Sequence, residues 1–236
     1  MSVLSLSSLE ELLASNINMI EFNNFVSIEE LKVITSRLLD SFHANKYNLS
    51  MKDGIFFPFP YSSVHKDFKD SDNNYFKYSE SFNKKHKNTI GFIINRLQEK
   101  LQAKIEPLIY KNDEPMSHLN TRILYSKKNG IDIHCENAFI HQLNEKFANW
   151  LKSKVDLDNA ISFFLILQKS VKGGDLILYN QTWEKISFKL DTTTYEERHD
   201  INGSIFKNRN IDHVSYKRSS PNAGDAVVFR AAQIWQ

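Results

Sequence analysis

Helices first and antiparallel strands after them is the order this sequence predicts: an α+β fold in which N-terminal helices back a sandwich or barrel of short strands. Three observations carry it. Up to about residue 104 apolar residues recur at helical spacing, as in Ile90, Ile93, Ile94, Leu97 and Leu101. After Pro107 they gather in short runs of extended character. Turn formers separate those runs: Lys127 to Gly130, Gly173-Gly174, and Pro221 to Gly224.

Residues 8–15 read as a short helix, and Ile20 to Val26 as a strand leading into a second helix. Ser27 with Glu30 three residues on is a capping box, and Leu31, Ile34, Leu38 and Leu39 form the apolar stripe of a helix ending near His43. Residues 45–74 are polar and broken by Gly54, Pro58 and Pro60, which predicts a long loop carrying the aromatics Phe56, Phe57, Phe59 and Tyr61. From Tyr75 to about Lys104 a helix in two pieces is expected, with the lysines at 84, 85, 87, 100 and 104 on its solvated side.

In the second half, Thr121, Ile123 and Tyr125 alternate with Arg122 and Leu124, a strand that turns at 127–130 into a second strand, Ile131 to Ile133. A polar connection holding Trp150 follows, then strands at Ile161 to Leu167 and Asp175 to Tyr179 and a charged excursion over 181–210. Extended structure returns at His213 to Tyr216, the chain turns through Pro221, and Asp225 to Phe229 is the last predicted strand.

Composition limits the function. With 236 residues and 41% hydrophobic composition the chain can bury one substantial core, so a single domain over 1–236 is expected, helical to about 104 and β from about 105. Thirty basic residues against 28 acidic ones give +2, too balanced to announce a nucleic-acid partner. The N-terminus lacks a basic leader, the longest apolar run is far short of a membrane span, and the single cysteine, Cys135, suits a reducing compartment; a cytoplasmic protein is expected. Neither a nucleophile elbow nor a phosphate-cradling Gly-rich loop is present.

The chemistry points to His134 and Glu136. In an extended chain, side chains two residues apart face the same side, so imidazole and carboxylate can converge on one point, while Cys135 faces away. A neutral imidazole with a carboxylate is a binding pair for a divalent metal such as Fe(II), and a two-His, one-carboxylate site leaves positions open for oxygen chemistry. A strand end with ordinary polar side chains is the competing reading of those two residues.

Three segments together resemble the Fe(II)/2-oxoglutarate-dependent oxygenases: Tyr125 through Gly130 to His134-x-Glu136, the Gly173-Gly174-Asp175-Leu176 turn, and Pro221 to Phe229. They stand in that superfamily's order and cover about 105–236; Asn74-Tyr75-Phe76 opening a helix is similar to its small-molecule hydroxylase and halogenase branch. The resemblance implies a double-stranded β-helix, a cupin-like jelly-roll barrel, with Fe(II) as cofactor and 2-oxoglutarate as co-substrate. It implies His134 and Glu136 as metal ligands. Arg122 and Tyr125 would meet a carboxylate of co-substrate or substrate, equally read as a surface arginine and a barrel tyrosine. Halogenases of this kind carry a small residue where Glu136 stands, so the resemblance implies hydroxylation or desaturation, with O2 and a small molecule, plausibly an amino acid or derivative, as the partners.

The pattern departs at the C-terminus. The second histidine ligand falls in register at Gln236, whose amide is a weaker ligand for Fe(II), and the arginine expected beyond it and a last strand are missing. His141, His199 and His213 do not match that position, Arg230 could meet a carboxylate, and Asp225 is better placed to fix the turn after Gly224 than to touch metal. Either the chain is a shortened form of an active oxygenase, with its C-terminal strand on an open or imperfectly paired edge, or it is a non-catalytic barrel binding a small carboxylate.

Overall fold

The computed structural model describes residues 7–43, 49–51, 54–58, 74–110, 113–124, 143–157, 159–171, 173–180 and 215–231. These fall into two compact units, one within Met1–Leu9, Val26–Lys128 and Leu143–Glu145, the other within Glu10–Phe25, Asn129–Gln142 and Lys146–Gln236. A short helix, α1 (Ser7–Leu13), opens the described chain, as expected, and buries Leu12 completely.

The first unit begins with α2 (Ile28–His43), and the capping box forms as the sequence predicts. The Ser27 N–H donates to Glu30 Oε2 at 2.8 Å and the Glu30 N–H to Ser27 Oγ at 3.2 Å, satisfying two N–H groups the helix itself cannot. Ile34, Leu38 and Ser41 line the buried face at i, i+4, i+7. Leu39, expected in that stripe, is 37% exposed because one residue further on a helix is a rotation of roughly 100° off the face.

Two helices follow, α3 (Asn74–Lys85) and α4 (Lys87–Leu101), the expected two pieces, joined at His86. Thr89, Ile90, Ile93, Leu97 and Leu101 form α4's buried face, and the lysines at 84, 85, 87, 100 and 104 are exposed as expected. Buried His86 (4% exposed) binds α2 to this junction: its Nε2 lies 2.6 Å from Ser41 Oγ, and its ring packs on Phe82 with centroids 4.5 Å apart. At the other end of α2, Arg96 makes a two-pronged bond to Glu30 at 2.7 and 2.9 Å.

Both links predict acid sensitivity. Burial, followed by the charges of Lys85 and Arg37, pushes the His86 pKa below its ordinary 6.5. As pH falls through 6.5 the unfolded chain takes up that proton first, so stability declines from there downward until folded His86 also titrates. The Arg96 bonds, then the Ser27 N–H, lower the Glu30 carboxyl from 4.5 to about 2, so its contribution, complete above 4.5, is lost between those values. Urea denaturation as a function of pH should show both declines. His86→Gln should remove the upper slope and Glu30→Gln the lower one; unchanged slopes in the variants would refute the assignment.

Within the segment expected to be a loop, the described residues instead form a hairpin, β2 (Leu49–Met51) and β3 (Gly54–Phe57), in register Leu49↔Phe56 to Met51↔Gly54. Its strands are short, and their pairing closes on glycine, Met51↔Gly54. Its partner is the strand predicted from the alternation, β4 (Thr121–Leu124), paired antiparallel to β3 from Gly54↔Leu124 to Phe57↔Thr121. A Cβ on Gly54 would sit 2.2 Å from the Ile123 carbonyl oxygen, so only glycine permits this approach. Helix α3 fixes the segment leading into β4. Asn83 Nδ2 donates to the Met116 carbonyl at 2.9 Å, the His118 N–H donates to Asn83 Oδ1 at 3.2 Å, and the Ser117 N–H to the hydroxyl of buried Tyr75 at 3.2 Å.

The second unit holds β1 (Met19–Phe22), a helix α5 (Glu145–Lys154), and the strands β5 (Ser162–Leu165), β6 (Leu176–Tyr179), β7 (Tyr216–Ser219) and β8 (Ala226–Phe229). Helix α5 replaces the expected polar connection: Phe147, Ala148 and Leu151 are buried at i, i+1, i+4, a stripe too short to stand out among charged neighbours. Strand β7 begins where the predicted extended segment ended. It pairs with β6, and Arg218 binds Asp175 across the strand pair; the Ser220 hydroxyl and Arg218 together hold that carboxyl below its usual range.

Among the described residues the last strand does not lie on the open edge that was expected. Strand β8 is the centre of the sheet β1-β8-β5, antiparallel to β1 from Met19↔Phe229 to Phe22↔Ala226 and to β5 from Ser162↔Phe229 to Leu165↔Ala226. All four of its residues are buried, because one sheet face packs on β6 through Met19, Val227, Phe229 and Leu178, and the other carries Phe163 against Phe25, centroids 5.4 Å apart.

Asp225 fixes the turn into β8, as read from the sequence: it accepts the Asn222 N–H at 2.7 Å and, from the turn after β1, the Asn24 N–H at 2.8 Å. Asn24 has φ of 51°, a conformation asparagine tolerates better than most residues. Asp225 is 7% exposed, so Asp225→Ala leaves two N–H groups without their acceptor and is expected to destabilise the protein by about 2–4 kcal/mol. Urea unfolding measures it; a loss under about 1 kcal/mol would mean water replaces the carboxylate. Among the described residues no helix is long and apolar enough to cross a membrane.

Candidate active site

Of His134, Glu136, Gln236, Arg122 and Tyr125, Arg122 is the one the structure describes. His134, Glu136, Tyr125 and Gln236 lie outside the described residues, as do Cys135, His141, His199 and His213. Among the described residues no group of three His, Cys, Asp or Glu side chains could hold a metal ion, so a metal site has to draw on the others. Arg230 is described: its guanidinium binds Ser15 Oγ, with Asn159 Oδ1 at 3.5 Å, two neutral groups. That gives it a structural role, and the suggestion that it meets a carboxylate finds no support among the described residues.

Arg122 stands in β4 opposite Phe56 of β3, and its guanidinium lies over the Phe56 ring, Cζ 4.5 Å from the centroid. It is half-buried, with Nε shielded from solvent. A guanidinium is a planar fork of N–H donors whose geometry matches a carboxylate. The donor chemistry here therefore suits a carboxylate such as either end of 2-oxoglutarate. Phe56 escaped the sequence reading because it was placed in a loop; Gly54, standing between short apolar runs, was the signal that could have found it.

A family model described as carrier-protein-independent halogenase WelO5 matches residues 4–236. The chain belongs to the WelO5 family. Two solved structures of an N-substituted L-amino acid dioxygenase from Burkholderia ambifaria AMMD share its fold. One, in complex with alpha-KG, superposes with a TM-score of 0.61 at 13% identity, covering 98% of this chain and 80% of that one. The other gives a TM-score of 0.62 at 12% identity with the same coverage. No curated protein sequence matches the chain significantly. Membership in the WelO5 family places the chain among the Fe(II)/2-oxoglutarate-dependent oxygenases, whose cofactor is Fe(II) and whose co-substrate is 2-oxoglutarate. Mixed helix and antiparallel sheet is the architecture it shares with its structural neighbours.

Proposed function

We propose that this WelO5-family protein hydroxylates a small molecule, an amino acid or amino-acid derivative, in a single oxygenase domain over 1–236 built on a double-stranded β-helix and working in the cytoplasm. The observation that carries hydroxylation is Glu136, two residues after His134. A carboxylate there occupies the coordination position that a halogenase of this superfamily leaves to chloride. The amino-acid substrate class is supported by the N-substituted L-amino acid dioxygenase whose fold the chain shares.

In this reading His134 and Glu136 hold the metal, with Gln236 at the position of the third ligand. Arg122 and Tyr125 orient a carboxylate of co-substrate or substrate. When bound, Fe(II) and 2-oxoglutarate supply the oxidising power: one oxygen atom of O2 enters the substrate C–H bond as hydroxyl, and the other leaves in succinate as 2-oxoglutarate loses CO2. The protein's part is to bind, orient and exclude water around the target carbon. Halogenation is the second reading, and the family's own description favours it.

The test supplies the purified chain with Fe(II), 2-oxoglutarate, O2 and chloride, against a panel of free and N-substituted L-amino acids. Succinate release coupled to a product that gains one oxygen is the expected result. A product in which chlorine replaces hydrogen would establish the second reading. No succinate from protein shown to be folded would leave a non-catalytic barrel binding a small carboxylate.

A further inference from the structure

The contact between Phe56 and Arg122 has a function beyond packing. We infer that Phe56 is the positioning residue for Arg122, fixing the plane of its guanidinium so that its edge receives a carboxylate; this rests on the reading of Arg122 as a carboxylate ligand.

The two residues are cross-strand partners in the β3-β4 register, and the Arg122 Cζ lies 4.5 Å from the centre of the Phe56 ring. An arginine side chain has four rotatable bonds, and a guanidinium free to sweep would lose that freedom on each binding event. A ring against its face removes the freedom beforehand. The two interactions are of different kinds: a ring attracts the cation through its π face, and a carboxylate takes N–H donors in the guanidinium plane. Phe56 can therefore strengthen ligand binding without touching the ligand.

The ring is itself held. Phe57, which points to the opposite side of the strand, is 1% exposed and packs on Phe42 with centroids 5.5 Å apart. At the other end of β3, Gly54 brings its backbone against the Ile123 carbonyl more closely than any other residue could. Strand β4 is held in turn through Tyr75 and Asn83 of α3, which bind the segment 116–118 just before it. Arginine and ring thus sit on neighbouring strands whose relative position is fixed on both sides, as a preorganised site requires.

Substitutions separate orientation from space-filling. Phe56→Tyr keeps the aromatic face; Phe56→Leu keeps apolar bulk without it, and Phe56→Met is a second such variant should the leucine fold poorly. Binding is measured by calorimetry on the full chain with Mn(II) in place of Fe(II), using 2-oxoglutarate and N-acetyl-L-leucine separately so that the ligand affected identifies the source of the carboxylate. Phe56→Leu should weaken one of them roughly five- to tenfold, as expected for loss of one cation–π contact, with Phe56→Tyr close to the unaltered protein. In spectra of the 15N-arginine-labelled chain, one ring-shifted guanidinium resonance, assigned by its loss in Arg122→Lys, should lose that shift in Phe56→Leu and keep it in Phe56→Tyr.

If Arg122→Lys weakens binding and Phe56→Leu does not, Phe56 has no positioning role and the reading of Arg122 stands. Should Arg122→Lys leave both ligands unaffected, or neither ligand bind the unaltered chain, the reading of Arg122 falls and takes the inference with it. A guanidinium resonance without a ring shift would overturn the inference on its own.

Discussion

Phe229→Ala is expected to destabilise the protein by about 3–5 kcal/mol, the usual cost of deleting a large buried aromatic. Phe229 is 0% exposed at the end of the central strand of its sheet, opposite Met19 on one side and Ser162 on the other. Its ring meets Phe164 edge-on with centroids 5.1 Å apart and packs in one cluster with Leu178, Val227 and Ala231. Truncation would leave a cavity walled by residues of four strands, which hydrogen-bonded partners on both sides keep from collapsing. Phe164→Ala is the control: Phe164 is 38% exposed, so its loss should cost clearly less. Urea or thermal unfolding of the two variants ranks them. If Phe229→Ala loses no more than Phe164→Ala, the placement of β8 at the centre of its sheet is wrong.

His134→Ala is expected to reduce 2-oxoglutarate-dependent turnover by more than about 100-fold, since removing groups that merely support a metal ligand already costs about 10- to 100-fold. The visible band of an Fe(II)-2-oxoglutarate complex, followed in an anaerobic titration, should disappear with it. Because His134 follows the strand expected over Ile131 to Ile133 and is read as a ligand and not as a core side chain, alanine there is expected to remove a donor without removing core packing. Unfolding should therefore be little changed while the band is lost. A variant that keeps both band and turnover would show that iron is held elsewhere, and the proposed ligand pair would have to be abandoned. Arg122→Ala offers a useful contrast: it should raise the concentration of 2-oxoglutarate or of substrate required while leaving the metal in place.

Much of the first half was legible because its signals are local. Ser27 and Glu30 announce a helix start by three-residue spacing, and the structure forms both of the bonds that spacing implies. The buried stripe from Ile90 to Leu101 repeats often enough to mark one face unambiguously. Asp225 could be assigned to its turn because its nearer acceptance, from the Asn222 N–H, lies within three residues. Helix α5 and the β2-β3 hairpin were missed for the opposite reason: each is short, and each is held by neighbours remote in sequence more than by its own pattern. The proposed ligands His134 and Glu136 were legible as a spacing, and the match over residues 4–236 placed the chain in its family.

The sequence by itself determined where α2 begins, where the helix after Tyr75 breaks in two, and which residues turn the chain into β8, and it supplied the pair of side chains proposed to bind metal. Those features depend on spacings of a few residues, and backbone sterics and hydrogen bonding act over that range. Only the tertiary structure decided that β1 flanks β8 and that the Asn24 N–H reaches Asp225 across 201 residues of chain. It alone set the Phe56 ring beneath the Arg122 guanidinium. Strand order and cross-strand partners follow from which faces can be buried together, and that choice weighs the apolar surface of distant segments against the entropy of closing long loops.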